Sequence, residues 1–373
     1  MNSLEVRKKT ITKIHESEFK FVIVSSGGGS NAIGSLLKVP GASNSILEAY
    51  IPYAKESLDF YLMKKPESYC SLDTTTRMAA RAYSAAKKID QKTNIEKLFG
   101  VAISATLSTN YEKKGSHRFH IAVQTRDFSQ SISCILNKGQ RTREEEEELV
   151  TEFVIALISD CCGFKFKYPE IKEDVEYIQI PAQEGWADLM SEKIKFVTSP
   201  NKQPKLIFPG AFNPMHDGHI AMSELANKEL SEEVFFEICI QNVDKPPLSY
   251  HQIKKTIDQF TDSKNWVLTK AGKFSDKAKL FPNSTFIIGA DTLVRIFDER
   301  FYASRREMME EFEIFNANNN NFLVFGREYK NKFIELNDIQ VPDSIKSRFR
   351  GFGENIFRKD VSSSTIRAQN SEE

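Results

Sequence analysis

Residues 205–219, reading KLIFPGAFNPMHDGH, constrain this chain more than any other stretch. A short apolar run ends at Pro209 and Gly210, two histidines three residues apart follow, and an apolar-periodic segment begins at once. This order predicts a strand over 205–208, a tight turn, and a helix over 216–230. Such a turn brings backbone N–H groups and the positive end of a helix to the C-terminal edge of a sheet, where open α/β folds hold phosphates. At a spacing of i, i+3 His216 and His219 share one helix face, and Gly218 between them allows close approach to the backbone. Imidazoles so placed can donate to phosphate oxygens and stabilise the charge that builds up when a nucleophile attacks a nucleoside triphosphate. A zinc-ligand role is the alternative, but no third ligand stands at a recognised spacing. A plain helix start with incidental histidines is the other.

The rest of this half alternates as a doubly wound α/β sheet should, with strand-like runs at 234–240, 266–268, 285–288 and 322–325 between helical ones. Lys245 follows the end of one such run and could reach a phosphate. Near the C-terminus Ser362, Ser363, Ser364 and Thr365 are helix N-cap types, and Arg367 falls in the first turns behind them. Hydroxyls, free N–H groups and a guanidinium together suit β- and γ-phosphates; a plain capped helix is the other reading. The basic positions Lys270, Lys273, Lys277 and Lys279 read as a solvated face.

The run from Gly210 to His219 resembles the signature of the nucleotidylyltransferase superfamily, and its Phe212-Asn213-Pro214 form is most like nicotinamide/nicotinate mononucleotide adenylyltransferases. Val361 to Arg367 resembles the second signature of that family. The resemblance implies a Rossmann-like domain over 205–373 that transfers AMP from ATP, with Mg²⁺, to a phosphorylated acceptor and releases pyrophosphate. His216, His219 and Arg367 would be its catalytic residues. Gly210, Phe212, Asn213, Lys245, Gly289, Asp291, Ser362 and Ser363 would bind nucleotide, with Asp291 on a ribose hydroxyl. A carboxylate at a strand's C-terminal end can accept from sugar hydroxyls, and helix capping is its structural alternative.

The N-terminal half opens with another strand, glycine loop and helix: an apolar run at 19–24, then Ser26-Gly27-Gly28-Gly29-Ser30. By itself such a loop either cradles a phosphate or supplies a tight turn. With Val39-Pro40-Gly41-Ala42-Ser43 and Tyr53, it resembles the C-terminal domain of the competence/damage-inducible protein A group, the nicotinamide-nucleotide amidohydrolase family. Counting from these residues, Ser26 falls where that family keeps its nucleophile and Tyr53 on a pocket tyrosine. The lysine that should activate the serine is Leu58, which cannot take a proton, and Lys55 is the nearest substitute. The loop 108–118 could line the same pocket, whereas His117 and His120, three apart on a strand, point to opposite faces. Thr142 and Glu145 form a capping box that opens a helix, so Glu144 to Glu148 read as a solvated, dipole-suited first turn.

At 373 residues the chain holds about two domains, expected at 1–163 and 205–373 with a connector over 164–204. Fifty-one basic and 51 acidic residues leave no bulk field for nucleic acid or an anionic membrane. Five cysteines lack metal or redox spacing. No membrane-length apolar run or secretory signal is seen, so small nucleotides are the expected partners and the cytoplasm the expected location. The amidohydrolase-like resemblance adds a tendency to form homo-oligomers.

Overall fold

The computed structural model describes residues 3–111, 113–241, 246–260, 264–329 and 332–359, with 361, 363, 366 and 367. It forms two compact α/β units: Met1–Ser191 with Asp244–Lys254, and Glu192–Val243 with Lys255–Glu373. Among the described residues no helix is long and apolar enough to cross a membrane.

The first unit runs α1 (Ser3–His15), β1 (Lys20–Gly27), α2 (Asn31–Leu37), β2 (Ile46–Tyr50), α3 (Lys55–Leu62), α4 (Leu72–Ile89), β3 (Leu98–Thr106), β4 (His117–Gln124), β5 (Phe128–Leu136), α5 (Arg143–Cys161), β6 (Val175–Pro181) and α6 (Trp186–Met190). Its sheet has the order β2-β1-β3-β4-β5-β6. The first three strands are parallel and the rest antiparallel.

Small residues set the packing of α4. A Cβ on Gly100 would lie 2.1 Å from the Tyr83 nitrogen, so this helix rests directly on the middle of β3. Ala79, Ala82 and Ala86 face Ala102 and Ala122 beneath it. On the other sheet face the apolar side of α5 (Val150, Phe153, Val154, Leu157, Ile158) packs on Phe21, Ile23, Val101 and Ile121. The capping box of Thr142 and Glu145 is present.

The glutamates that follow it do not form a solvated face. Glu146 is 0% exposed and binds His117 Nδ1 (2.8 Å) and the Ser108 N–H (2.6 Å), while Glu148 pairs with Arg7. Helical position alone does not say which face a sheet will cover, and here the loop after β3 and the start of β4 close over the first turns of α5.

The second unit contains β7 (Phe196–Ser199), β8 (Leu206–Pro209), α7 (Asp217–Leu230), β9 (Val234–Cys239), the end of α8 (Tyr250–Ile257), β10 (Asn265–Thr269), α9 (Phe274–Leu280), β11 (Thr285–Gly289), α10 (Ala290–Ile296), α11 (Arg305–Ala317), β12 (Asn321–Phe325), the hairpin β13 (Arg327–Tyr329) and β14 (Lys332–Ile334), and β15 (Phe349–Phe352). The sheet order is β15-β12-β11-β8-β9-β10-β7, parallel except for β7. It is the doubly wound sheet expected from the sequence. Cross-strand phenylalanines tie one side together: Phe286 lies 5.5 Å from Phe322, which stacks at 4.6 Å on Phe349. Each such pair adds about 1 kcal/mol beyond its burial.

Lys277 corrects the reading of a solvated basic face. It is 4% exposed, paired with the buried Glu237 at 2.7 Å, and it donates to Ala271 O at 2.6 Å. The stretch 164–204 supplies edge strands, β6 to one sheet and β7 to the other. Tyr250, at the head of a helix read as part of the second domain, is buried in the first unit. Its N–H donates to Ser129 Oγ (3.0 Å) and its ring lies 5.5 Å from Trp186.

Candidate active site

In the second unit the chain runs outward from β8 through β9 to β10, then returns to build β11 and β12 on the other side of β8. The reversal opens a crevice at the C-terminal ends of β8 and β11, the general ligand position in such sheets. Described residues of both predicted motifs meet at that edge.

The loop after β8 is held by its own aromatic ring. Phe212 takes a left-handed φ of 43° and is 1% exposed. Its ring meets the His219 ring edge-on at 5.1 Å, with Phe208 and Phe236 around it. A Cβ on Gly210 would stand 2.5 Å from that ring, so glycine is required there. Phe212 thus contributes to the site by positioning His219. Gln259, which the sequence reading did not single out, clamps the loop. Its Oε1 accepts from the Met215 N–H (2.8 Å) and its Nε2 donates to Phe212 O (2.9 Å).

His216 and His219 stack at 3.8 Å with 24° between their planes. The His216 N–H donates to His219 Nδ1 at 3.3 Å, which leaves the His219 proton on Nε2, free to donate outward. Burial, with His216 and Arg327 nearby, depresses the His219 pKa to about 3. Burial and Arg327 also lower that of His216, against a smaller opposing effect of Asp217. Both rings are therefore neutral at pH 7. His216 Nδ1 is buried without a hydrogen-bond partner, and a Cβ on Gly218 would crowd that same ring at 3.1 Å.

The C-terminal motif docks on this loop. Arg367 Nη1 donates to Asn213 O, and Ser363 Oγ donates to Pro214 O at 2.9 Å. Lys245, Ser362, Ser364 and Thr365 lie outside the described residues.

Asp291 sits in the first turn of α10, whose N-cap is Gly289 with no side-chain cap bond. Its Oδ1 is buried, has no hydrogen-bond partner, and stands 3.5 Å from Arg327 Nη1. A Cβ on Gly289 would fall 2.4 Å from that oxygen. Arg327 is the main candidate residue the sequence reading did not select. The signal was present, a cation directly after the Gly326 that ends a core strand, but nothing local said that it would face both histidines and Asp291. Among the described residues no group of three or more His, Cys, Asp or Glu is arranged to hold a metal ion.

In the first unit the glycine loop is sterically fixed. A Cβ would meet Ala105 O at 2.1 Å from Gly27, Leu107 Cδ1 at 2.5 Å from Gly28 and Ile103 Cγ2 at 2.5 Å from Gly29. The loop's N–H groups are taken up internally: Gly28 donates to Ala105 O (3.0 Å) and Gly29 to Glu147 Oε2 (2.6 Å). Ser30 begins α2 without a side-chain cap bond. Ser26 Oγ donates to Pro52 O at 3.0 Å, a carbonyl that cannot take its proton. Leu58 is 1% exposed in the core, Lys55 Nζ lies over the Tyr69 ring at 5.6 Å, and Tyr53 is 70% exposed.

No curated protein matches the chain. Among solved structures the chain is similar to the competence/damage inducible protein CihA from Agrobacterium tumefaciens, with 16% identity, 43% of this chain and 91% of that one covered, and a TM-score of 0.31. It is also similar to a competence or damage-inducible protein from Enterobacter asburiae (14% identity, 43% and 99% covered, TM-score 0.36). A CinA superfamily protein from Klebsiella pneumoniae 700603 matches with 13% identity, 44% and 99% covered, and a TM-score of 0.35. Residues 207–369 match the family model described as cytidylyltransferase-like, so this part of the chain is a nucleotidyltransferase-type domain.

Proposed function

We propose that the second unit transfers an adenylyl group from ATP to the phosphate of nicotinamide or nicotinate mononucleotide, releasing pyrophosphate. The observation that carries this reading is the docking of Ser363 and Arg367 onto Pro214 and Asn213, beside the stacked histidines. Two phosphate-binding motifs, distant in sequence, thereby form one site. An acceptor phosphate oxygen attacks the α-phosphorus of ATP in line, a P–O bond forms, and the bond to the β-phosphate breaks as pyrophosphate leaves.

The chain's part is positioning and charge stabilisation. His219 donates from Nε2 to a reacting phosphate, with His216 beside it. Arg367 and Ser363 hold the leaving pyrophosphate, and Arg327 adds a second cation. Asp291 Oδ1 accepts from a ribose hydroxyl. The described residues offer no carboxylate cage, so Mg²⁺ would be held by phosphate oxygens and water, supplying countercharge to the triphosphate. The acceptor rests on the Phe212-Asn213-Pro214 form of the first motif.

The test is pyrophosphate release by the full chain with Mg²⁺, using ATP or CTP against nicotinamide mononucleotide, nicotinate mononucleotide and other phosphorylated acceptors. Release with ATP and either mononucleotide, lost in His219→Ala, is the expected result. Release only with CTP or with another acceptor overturns the substrate assignment, and no release with any pair overturns the transfer reading.

A further inference from the structure

Glu237 and Lys277 form a buried ion pair at 2.7 Å in the core of the second unit. The face of β9 that carries Phe235 and Glu237 packs, with Val267 of β10, against Ala278 and Phe281. Glu237 Oε1 also accepts from Thr269 Oγ1 at 2.5 Å. Lys277 Nζ donates onward to Ala271 O at 2.6 Å, and the Ala271 N–H donates to Thr269 Oγ1 at 3.2 Å. Glu237, Lys277, Ala271 and Thr269 thus close one hydrogen-bonded ring.

The ring grips the middle of a segment that crosses the sheet. Residues 270–273 leave the end of β10, and at Phe274 the chain has reached rings of β11 and β12, 5.9 Å from Phe286 and 6.2 Å from Phe322. Strands β8 and β9 lie between β10 and β11, so the segment passes over β8, whose C-terminal end opens the crevice. Glu237 is level with Pro209 in the register, and its backbone O accepts the Gly210 N–H at 3.0 Å. One residue therefore ties the loop after β8 through its backbone and the crossing segment through its side chain. At the ends of the segment Lys270 pairs with Glu192 and Lys273 with Glu311, but each of these pairs has a solvent-exposed partner and holds weakly.

Stability does not account for this pair. Apolar side chains of similar volume in place of a buried ion pair are often neutral or stabilising, and the surroundings here are apolar. What an apolar pair cannot supply is a donor for Ala271 O. We infer that Glu237 and Lys277 are positioning residues of the transfer site, which fix the 270–273 segment beside the crevice so that the substrates meet in one geometry. This inference rests on the transfer reading above. Loosening the segment lowers kcat more than it raises KM, because misplaced reactants still bind but seldom align.

The double variant Glu237→Leu with Lys277→Met separates positioning from stability. In the full chain it is compared with wild type for pyrophosphate release with ATP and the two mononucleotides, for Tm, and for deuterium exchange over residues 268–276 by mass spectrometry. Tm at or above wild type is expected, with faster exchange at Ala271 and its neighbours. Alongside these, kcat falls by about tenfold while KM stays within roughly threefold. If the double variant fails to fold by circular dichroism, Thr269→Val decides, because it opens the ring without removing a charge; faster exchange and a drop in kcat of roughly threefold are then expected. Wild-type kcat or unchanged exchange in a folded variant overturns the inference alone, as does a lowered Tm with kcat intact, which would assign the pair to stability. No release from the wild type overturns the transfer reading, and this inference with it.

Discussion

Gly289→Ala isolates the geometry of the crevice from the stability of the sheet. Gly289 has φ −80° and ψ 154°, which alanine adopts without strain, so β11 should keep its pairing. The added methyl would stand 2.4 Å from Asp291 Oδ1 and 3.0 Å from Arg327 Cδ. To restore ordinary contact the carboxylate must retreat by roughly 1 Å and Arg327 must shift with it. A displacement of that size can cost about 100-fold in rate, or about 2.7 kcal/mol of transition-state stabilisation. The assay is pyrophosphate release with ATP and nicotinamide or nicotinate mononucleotide, with kcat and KM measured separately and Tm determined on the same preparation. The expected result is a 10- to 100-fold loss of kcat/KM, about 1.4–2.7 kcal/mol, with Tm close to wild type. Wild-type kcat/KM in a folded variant would refute the reasoning, because it would mean that the position of the Asp291–Arg327 pair is immaterial.

Gln259→Ala leaves Phe212 O and the Met215 N–H without their partner, at about 1–3 kcal/mol for each group that stays buried; lowered Tm and weakened ATP binding are expected, and a neutral result would mean that the loop holds itself. For His219 the folded pKa lies below the usual 6.5, so the unfolded chain binds more protons between the two values. Stability is therefore full above 6.5 and falls as pH drops toward 3, by about 1.4 kcal/mol per pH unit. Urea unfolding at pH 7 and 5 should show about 2 kcal/mol less acid loss in His219→Gln than in wild type, and equal losses would contradict the buried neutral ring. Leu58→Lys, which restores the expected base, should destabilise the first unit by several kcal/mol because the ammonium enters an apolar core; an unchanged Tm would show that the position opens to solvent.

Much of the architecture is local enough to read from residue order. The strand, turn and helix around Gly210, the capping box at Thr142 and Glu145, and the alternation of the second half follow from side-chain period and backbone preference. Strands β5 and β15 escape that reading. The buried face of β5 carries Ser129 and Ser131, and β15 is the four-residue edge Phe349–Phe352 with Arg350 and Gly351 inside it. Neither shows the apolar pattern that announces a strand.

The candidate site divides the same way. Residue types and spacing point to His216 and His219 as groups suited to phosphate, because their chemistry and their place after a strand end are local properties, whereas Asp291 is reached through the family resemblance. That Arg367 would reach Asn213, that Arg327 would face both histidines, and that Gln259 would hold the loop are decided by which strands lie side by side. The glutamates of α5 make the same point: their sequence specifies a helix start, while the sheet, the glycine loop and His117 decide which carboxylate is buried. Sequence by itself determined the elements and the chemistry they carry, through interactions within a few residues. Tertiary structure alone decided the partners, because contacts between distant residues depend on strand order and register, which no local pattern encodes.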